Sequence, residues 1–391
     1  MSSVTYLDNN ATTAVAPEVL EAMLPYLREE YGNPSSMHDF GGHLAKHMDR
    51  ARSQLAAILG AQPDEIIFTS CGTESDNTAF FSALETNPGK RHIVTTQVEH
   101  PAILHQMEYL QKKGYEVTFV GVRPDGICEP QAVQDAIREN TAIVSVMWAN
   151  NETGVLMPIE EIAQAVKEKG VLFHTDAVQA VGKISMDLSR IPVDMLSLSG
   201  HKLHAPKGIG ALYVRRGTPF KPYIMGGHQE NGRRGGTYAV PNIMALGTAA
   251  ELAAKHMEDE RVHITRLRDR LEKGLVERIP ALHVLGNRTQ RLYNTCTVSF
   301  EYVEGEAILL MLSEHGICAS SGSACSSGSL EPSHVLRAMG LPFELCHASI
   351  RFSFSRYNTD ADVNHVLEVL PGIIRNLRRI SPFTPPELLR E

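Results

Sequence analysis

The chain has 391 residues, a formal net charge of −8 and 43% hydrophobic residues. That length suits a large domain plus a smaller one, and an acidic balance without basic clusters interleaved with aromatics argues against a nucleic-acid surface. No run of about 18 apolar residues occurs, so no membrane span is expected; the N-terminus lacks the charged and apolar regions of a secretory signal, which makes the cytoplasm the expected location.

In chain order, residues 65–69 read as a strand that runs into a turn and a helix start at Gly72-Thr73-Glu74. Further short apolar runs lie at 93–95, 117–120, 142–148, 171–173, 195–198 and 211–214, with helical patterns between several of them, as at 131–138 and 159–167. This alternation predicts an α/β domain with a mostly parallel sheet. Ligands of such sheets gather at the carboxyl ends of the strands. Cys71-Gly72-Thr73, Asn150-Asn151, Asp176 and residues 199–202 each follow a strand, so they converge on one crevice.

After about Ala245 the pattern changes. Residues 247–276 read as one long amphipathic helix or two, of the kind that bridges domains; strands at 297–300 and 350–354 and helices at 304–315 and 361–378 then give a small α+β domain. The expected organisation is a large domain over 14–255 and a small domain built from 1–13 and 256–391, which carries a loop at about 318–334. Residues 381–386 read as an irregular tail.

The six cysteines are Cys71, Cys128, Cys296, Cys318, Cys325 and Cys346, with no Cys-x-x-Cys pair. Neither a disulfide framework nor a closed zinc site follows from that spacing. Most read as reduced, interior residues.

Two central segments point to pyridoxal 5′-phosphate. His174-Thr175-Asp176-Ala177-Val178-Gln179 ends an apolar strand on a carboxylate, which a protonated pyridine nitrogen would neutralise. Ser197-Leu198-Ser199-Gly200-His201-Lys202 ends the next strand on an amine suited to a Schiff base with the aldehyde. Read structurally instead, Asp176 caps a helix and Lys202 is a surface residue. Gly72 and Thr73 open a helix whose exposed N–H groups suit a phosphate. His100 precedes Pro101 at another helix start, where it could stack on the ring and move protons. Gln179 is placed to donate to the ring oxygen, and the amides of Asn150 and Asn151 can serve a cofactor or a turn.

Downstream, Ser320-Ser321-Gly322-Ser323-Ala324-Cys325-Ser326-Ser327-Gly328 sets one cysteine among small polar residues. Such composition favours mobility, and Cys325 reads either as incidental to a linker or as a nucleophile that enters the crevice and carries something out. Cys318, in an apolar segment, reads as a packing residue.

With these residues assembled, the chain resembles the cysteine desulfurases of the NifS/IscS type, within the class V aminotransferase-like enzymes. The resemblance runs through Tyr6-Leu7-Asp8-Asn9-Asn10-Ala11-Thr12-Thr13, Gly32-Asn33-Pro34-Ser35-Ser36, Gly72-Thr73-Glu74-Ser75-Asp76-Asn77, 174–182, 199–210, Arg234-Gly235-Gly236-Thr237, 321–332 and Ile350-Arg351-Phe352-Ser353. Residues 148–154 and 329–334 look most like the nitrogen-fixation branch, whereas Tyr238-Ala239-Val240-Pro241 and Cys71 depart from its usual pattern.

The resemblance implies a fold-type-I, pyridoxal-phosphate-dependent transferase that converts L-cysteine to L-alanine and supplies sulfur for iron–sulfur cluster assembly, nitrogenase included. It implies a homodimer, and as partners L-cysteine and an iron–sulfur scaffold or other sulfur acceptor. It assigns the Schiff base to Lys202, the ring nitrogen to Asp176, the ring hydroxyl to Gln179 and stacking to His100. Gly72, Thr73, Ser199 and His201 would hold the phosphate with Thr237 from the partner subunit; Asn151, Arg351 and Asn33 would face the substrate carboxylate. Cys325 would carry the persulfide and serve as a transient ligand of a [2Fe-2S] cluster shared with a partner. An aminotransferase or selenocysteine lyase would keep Lys202 and Asp176 without needing Cys325, and a cluster-holding scaffold would need Cys325 without the cofactor.

Overall fold

The structure is a computed structural model that describes residues 4–321 and 331–389. Twelve strands are present in the described residues: β1 (Thr5–Tyr6), β2 (Ile66–Thr69), β3 (His92–Thr96), β4 (Glu116–Val120), β5 (Thr141–Ser145), β6 (Leu172–Asp176), β7 (Met195–Ser199), β8 (Gly210–Val214), β9 (Leu282–Val284), β10 (Thr295–Phe300), β11 (Ile317–Cys318) and β12 (Ser349–Ser353). Seven of them form one sheet in the order β2-β8-β7-β6-β5-β3-β4. β8 runs antiparallel to both its neighbours, and the remaining pairs are parallel. The mostly parallel α/β sheet predicted from the sequence is therefore present. Every residue of β3, β5 and β7 is buried, as sheets covered by helices on both faces require.

Apolar side chains pack on both faces of this sheet. One face carries Phe80, Ala83, Ile103 and Met107 from the helices Gly72–Thr86 and Pro101–Lys112. The other meets the helices Leu44–Leu59 and Ile159–Glu168 through Leu55, Leu59, Ile162 and Val166. Gly60 ends the first of these in the left-handed conformation at φ 62°, a position that glycine takes without a Cβ penalty.

A separate apolar cluster lies around a three-stranded antiparallel sheet, β12-β10-β9, and includes Phe300, Phe352, Leu367 and Ile374. The 39-residue helix Val240–Arg278 serves both regions. Ile243, Leu246 and Ala250 pack with the large sheet, whereas Ile264, Leu267, Leu271 and Leu275 pack with the small one. The sequence allowed one helix or two here; there is one, and it begins seven residues before the predicted 247.

The N-terminal segment crosses between the regions. β1 pairs in parallel with β11, Asp8 bridges to Ser353 at the end of β12, and the chain then turns. The Tyr6 hydroxyl closes that turn by donating to the carbonyls of Asp8 at 3.2 Å and Thr12 at 2.9 Å. Thr13 fastens the far side: its N–H and hydroxyl both donate to the carbonyl of His201.

Candidate active site

The carboxyl ends of β2, β6 and β7 and the turn at 8–13 enclose one polar cleft. Lys202 follows β7 in a short 3-10 turn, Gly200–Lys202, where its Nζ donates to the carbonyls of Asn10 and, at 2.7 Å, Ala11. Gln179 Nε2 donates to the same Asn10 oxygen at 2.9 Å. His201 Nδ1 lies 3.1 Å from Thr12 Oγ1. Residues 10–12 thus meet three of the residues singled out in the sequence, Lys202 and Gln179 through main-chain oxygens and His201 through the Thr12 hydroxyl.

Asp176 closes β6 and is buried, its Oδ1 accepting from the Val178 N–H at 2.9 Å. Burial raises its pKa, opposed by the Val178 hydrogen bond and by Lys202. Behind it lies a second buried acid, Asp76, which burial and Asp176 push up strongly. Asp76 Oδ1 is 3.6 Å from His174 Nε2, and His174 is held between Ser145 and Ser197 at 2.8 and 2.9 Å.

His100 caps the helix Pro101–Lys112, with Nδ1 accepting from the Ala102 N–H at 3.1 Å. Burial first, then the charge of Lys202, lowers its pKa to about 4. At neutral pH the ring is uncharged, and because Nδ1 accepts, Nε2 carries the hydrogen. Its neighbour Glu99 is fully buried, bonded to Thr96 and the Met147 N–H, and burial pushes it up to about 8.

Residues suited to a phosphate lie together at the N-terminus of the helix Gly72–Thr86. A Cβ on Gly72 would come within 2.7 Å of Val178 Cγ2 and 3.7 Å of Ser199 Cβ, so the helix end, the Asp176 loop and Ser199 are in close approach. Ser199 Oγ and Gln179 Oε1 are buried and have no hydrogen-bond partner among the described residues. Two orphaned polar atoms in one cleft, a helix N-terminus and a buried acid near an amine fit the phosphate, ring oxygen, ring nitrogen and aldehyde of pyridoxal phosphate.

On the other side of the cleft, Arg351 of β12 is buried, with Nη1 donating to the Asn151 carbonyl and Nη2 to Asp8 Oδ1, each at 2.8 Å. Asn151 therefore contributes its main-chain oxygen to this contact. Asn33 is exposed and turns its side-chain oxygen onto the Ser35 N–H at 3.0 Å; Thr237 is exposed in the loop before Val240–Arg278. No hydrogen bond joins either to the cleft among the described residues.

Cys325 lies outside the described residues, but its flanks do not. Ser320 exchanges main-chain hydrogen bonds with Arg351, at 3.2 and 2.7 Å. Beyond it, the Ser333 hydroxyl donates to buried Glu152, and His334 Nε2 lies 2.8 Å from the Glu99 carbonyl. Of the other cysteines, Cys128, Cys296 and Cys346 are buried, and burial pushes the first two thiols up to about 12. Cys318, on β11, is only partly buried rather than packed in the core.

Asp8, Asn10 and Glu99 were given no role in the sequence. Asn10 acts through its carbonyl, for which side-chain identity carries no signal. Glu99 had a readable one: an acid placed just after an apolar strand and beside a candidate histidine.

The aminotransferase class-V family model matches residues 5–366. A cysteine desulfurase of Trichormus azollae is 59% identical over 98% of this chain and 96% of its own length. The cysteine desulfurase NifS of Azotobacter vinelandii is 52% identical over 97% of this chain and 94% of its own. Among solved structures, a NifS-like protein superposes with a TM-score of 0.90 at 39% identity, over 96% of this chain and 100% of that one. SspA in complex with cysteine gives 0.80 at 35% identity, over 90% and 99%.

Proposed function

The chain belongs to the aminotransferase class-V family, among its cysteine desulfurases, and from that membership and the cleft we propose that it takes the sulfur of L-cysteine onto Cys325 and releases L-alanine. The observation that carries the role of Cys325 is that the chain on either side of its segment is fastened to cleft residues, Ser320 to Arg351 and residues 333–334 to Glu152 and Glu99.

Pyridoxal phosphate, when bound, supplies the aldehyde for the amino group and an electron sink for charge developing at Cα. Lys202 would hold the aldehyde, and its amine would move the proton at the substrate Cα. Asp176 keeps the ring nitrogen protonated, since an unpaired buried carboxylate is costly and a cation relieves it. Gln179 serves the ring hydroxyl. Gly72, Thr73, Ser199 and His201 hold the phosphate, with Thr237 of the partner subunit completing the cup in a homodimer. His100 would stack on the ring and offers an N–H at Nε2. Arg351 and Asn151 place the substrate carboxylate, an arrangement a guanidinium fork suits. The Cys325 thiolate attacks the substrate sulfur; an S–S bond forms as the C–S bond breaks, and protonation of the remaining three-carbon fragment gives L-alanine.

The large unit of this reading spans 14–255 and the small one 1–13 with 256–391. The persulfide passes to a scaffold or other acceptor for iron–sulfur assembly, nitrogenase clusters included, with Cys325 a transient ligand to a [2Fe-2S] cluster during transfer. No helix among the described residues is long and apolar enough to cross a membrane, in keeping with work in the cytoplasm. The test is Cys325→Ser. The variant is expected to retain bound cofactor with an unchanged absorption spectrum yet release no sulfide from L-cysteine under reducing conditions; undiminished sulfide release would remove Cys325 from the reaction.

A further inference from the structure

Arg351 is held from two sides, but its guanidinium is not saturated. Nη1 and Nη2 are taken by the Asn151 carbonyl and Asp8 Oδ1, while Nε is buried without a hydrogen-bond partner among the described residues. Both members of the ion pair sit on constrained backbone. Arg351 lies within β12 and is tied to Ser320; Asp8 bridges to Ser353, and its carbonyl receives the Tyr6 hydroxyl and the Ala11 N–H. The Arg351 side chain is 3% exposed and that of Asp8 21%, so the carboxylate is the more accessible member of the pair.

A substrate carboxylate that reaches Arg351 therefore settles beside a resident negative charge instead of meeting a bare cation. Asp8 offsets the charge of the guanidinium, while Nε is left without an acceptor among the described residues. In a partly desolvated cleft, like charges at short range repel far more strongly than in water. A zwitterionic amino acid with an uncharged side chain adds one carboxylate and one ammonium to this arrangement. A dicarboxylic amino acid adds a second negative charge beside the Asp8 carboxylate.

We propose that Asp8 is a specificity-determining residue of this site: a built-in counter-ion to Arg351 that admits amino acids with neutral side chains and rejects those bearing a second acidic group. The proposal rests on the reading of Arg351 as the carboxylate-binding residue. Selectivity here comes from a repulsive element placed against the wrong ligand as well as from attraction to the right one.

The test is isothermal titration calorimetry of the holoenzyme with L-alanine and L-aspartate as probes. Asp8→Asn retains an oxygen for Arg351 Nη2 and removes only the charge. It is expected to bind L-aspartate about tenfold or more tighter than the parent, with L-alanine changed by less than about threefold, so the preference for L-alanine narrows. Asp8→Ser provides a second uncharged variant with the same expected result. A preference that stays within about twofold of the parent in a folded variant overturns the proposal. Arg351→Ala separates the two claims. Unchanged L-alanine affinity in that variant removes the carboxylate role of Arg351 and this proposal with it. Weakened L-alanine binding there, together with an unaltered preference in Asp8→Asn, removes the role of Asp8 alone.

Discussion

Lys202 Nζ donates to the carbonyl oxygen of Asn10, a residue 192 positions earlier in the chain. The amine at the end of β7 is thereby aimed by the N-terminal turn, itself pinned to His201 through Thr13. Removing the amine tests this arrangement directly. Lys202→Ala leaves Gln179 still bonded to Asn10, so the fold is expected to survive. Sulfide release is expected to fall by roughly 10²–10⁴-fold from lost proton transfer alone. Borohydride reduction of the parent, followed by peptide mass spectrometry, will show a pyridoxyl label on Lys202. A label on another lysine would show that the amine has been misassigned.

Asp176→Asn keeps an oxygen for the Val178 N–H but loses the charge that a protonated ring nitrogen pairs with. Charge-assisted hydrogen bonds contribute about 1.5–3 kcal/mol, so cofactor affinity is expected to fall roughly ten- to a hundredfold. Fluorescence titration of the apoprotein with pyridoxal phosphate measures it, and equal affinity would exclude the ion pair.

Gly72 has no room for a side chain on the Val178 face, where a Cβ would lie 2.7 Å from Val178 Cγ2. Gly72→Ala is expected to displace the loop that carries Asp176, at an overpacking cost of about 1–3 kcal/mol, and to weaken cofactor retention. Adding Val178→Ala removes the clashing methyl and restores retention. Failure of the second change to rescue the first would show that the glycine acts through something other than this contact.

Burial pushes Glu99 from an ordinary value of 4.5 to about 8, so between these limits the folded chain holds a proton that the unfolded chain releases. Stability from this group is full below 4.5 and is lost as pH rises through 8. Glu99→Gln cannot ionise and is expected to show the higher urea midpoint at pH 9, with a smaller difference at pH 5. Parallel pH profiles for the two proteins would mean that Glu99 is not held protonated.

The sheet was legible because β2, β5, β7 and β8 are short apolar runs with helical periodicity between them. The cofactor side of the cleft was legible because each residue there follows a strand end, where an acid or amine stands out against its apolar neighbours. Helix boundaries were less so: the residues at 240–246 join the long helix by packing Val240, Ile243 and Leu246 against the large core, a tertiary gain that local periodicity does not encode. The Asp8–Arg351 pair was invisible for a related reason. Its members are 343 residues apart, and tertiary contacts such as the pairing of β1 with β11 and the bridge to Ser353 bring them together. Asn33 and Thr237 show the converse, since a motif match fixes residue identity but not whether a side chain in a single subunit reaches the cleft.

The unbroken helix Val240–Arg278 gives walls to two apolar interiors at once. Neither can melt without stripping cover from half of that rod, so heat will carry the chain through one endotherm rather than two. Breaking the helix midway, for instance with proline at Lys255, would uncouple the halves and split that endotherm.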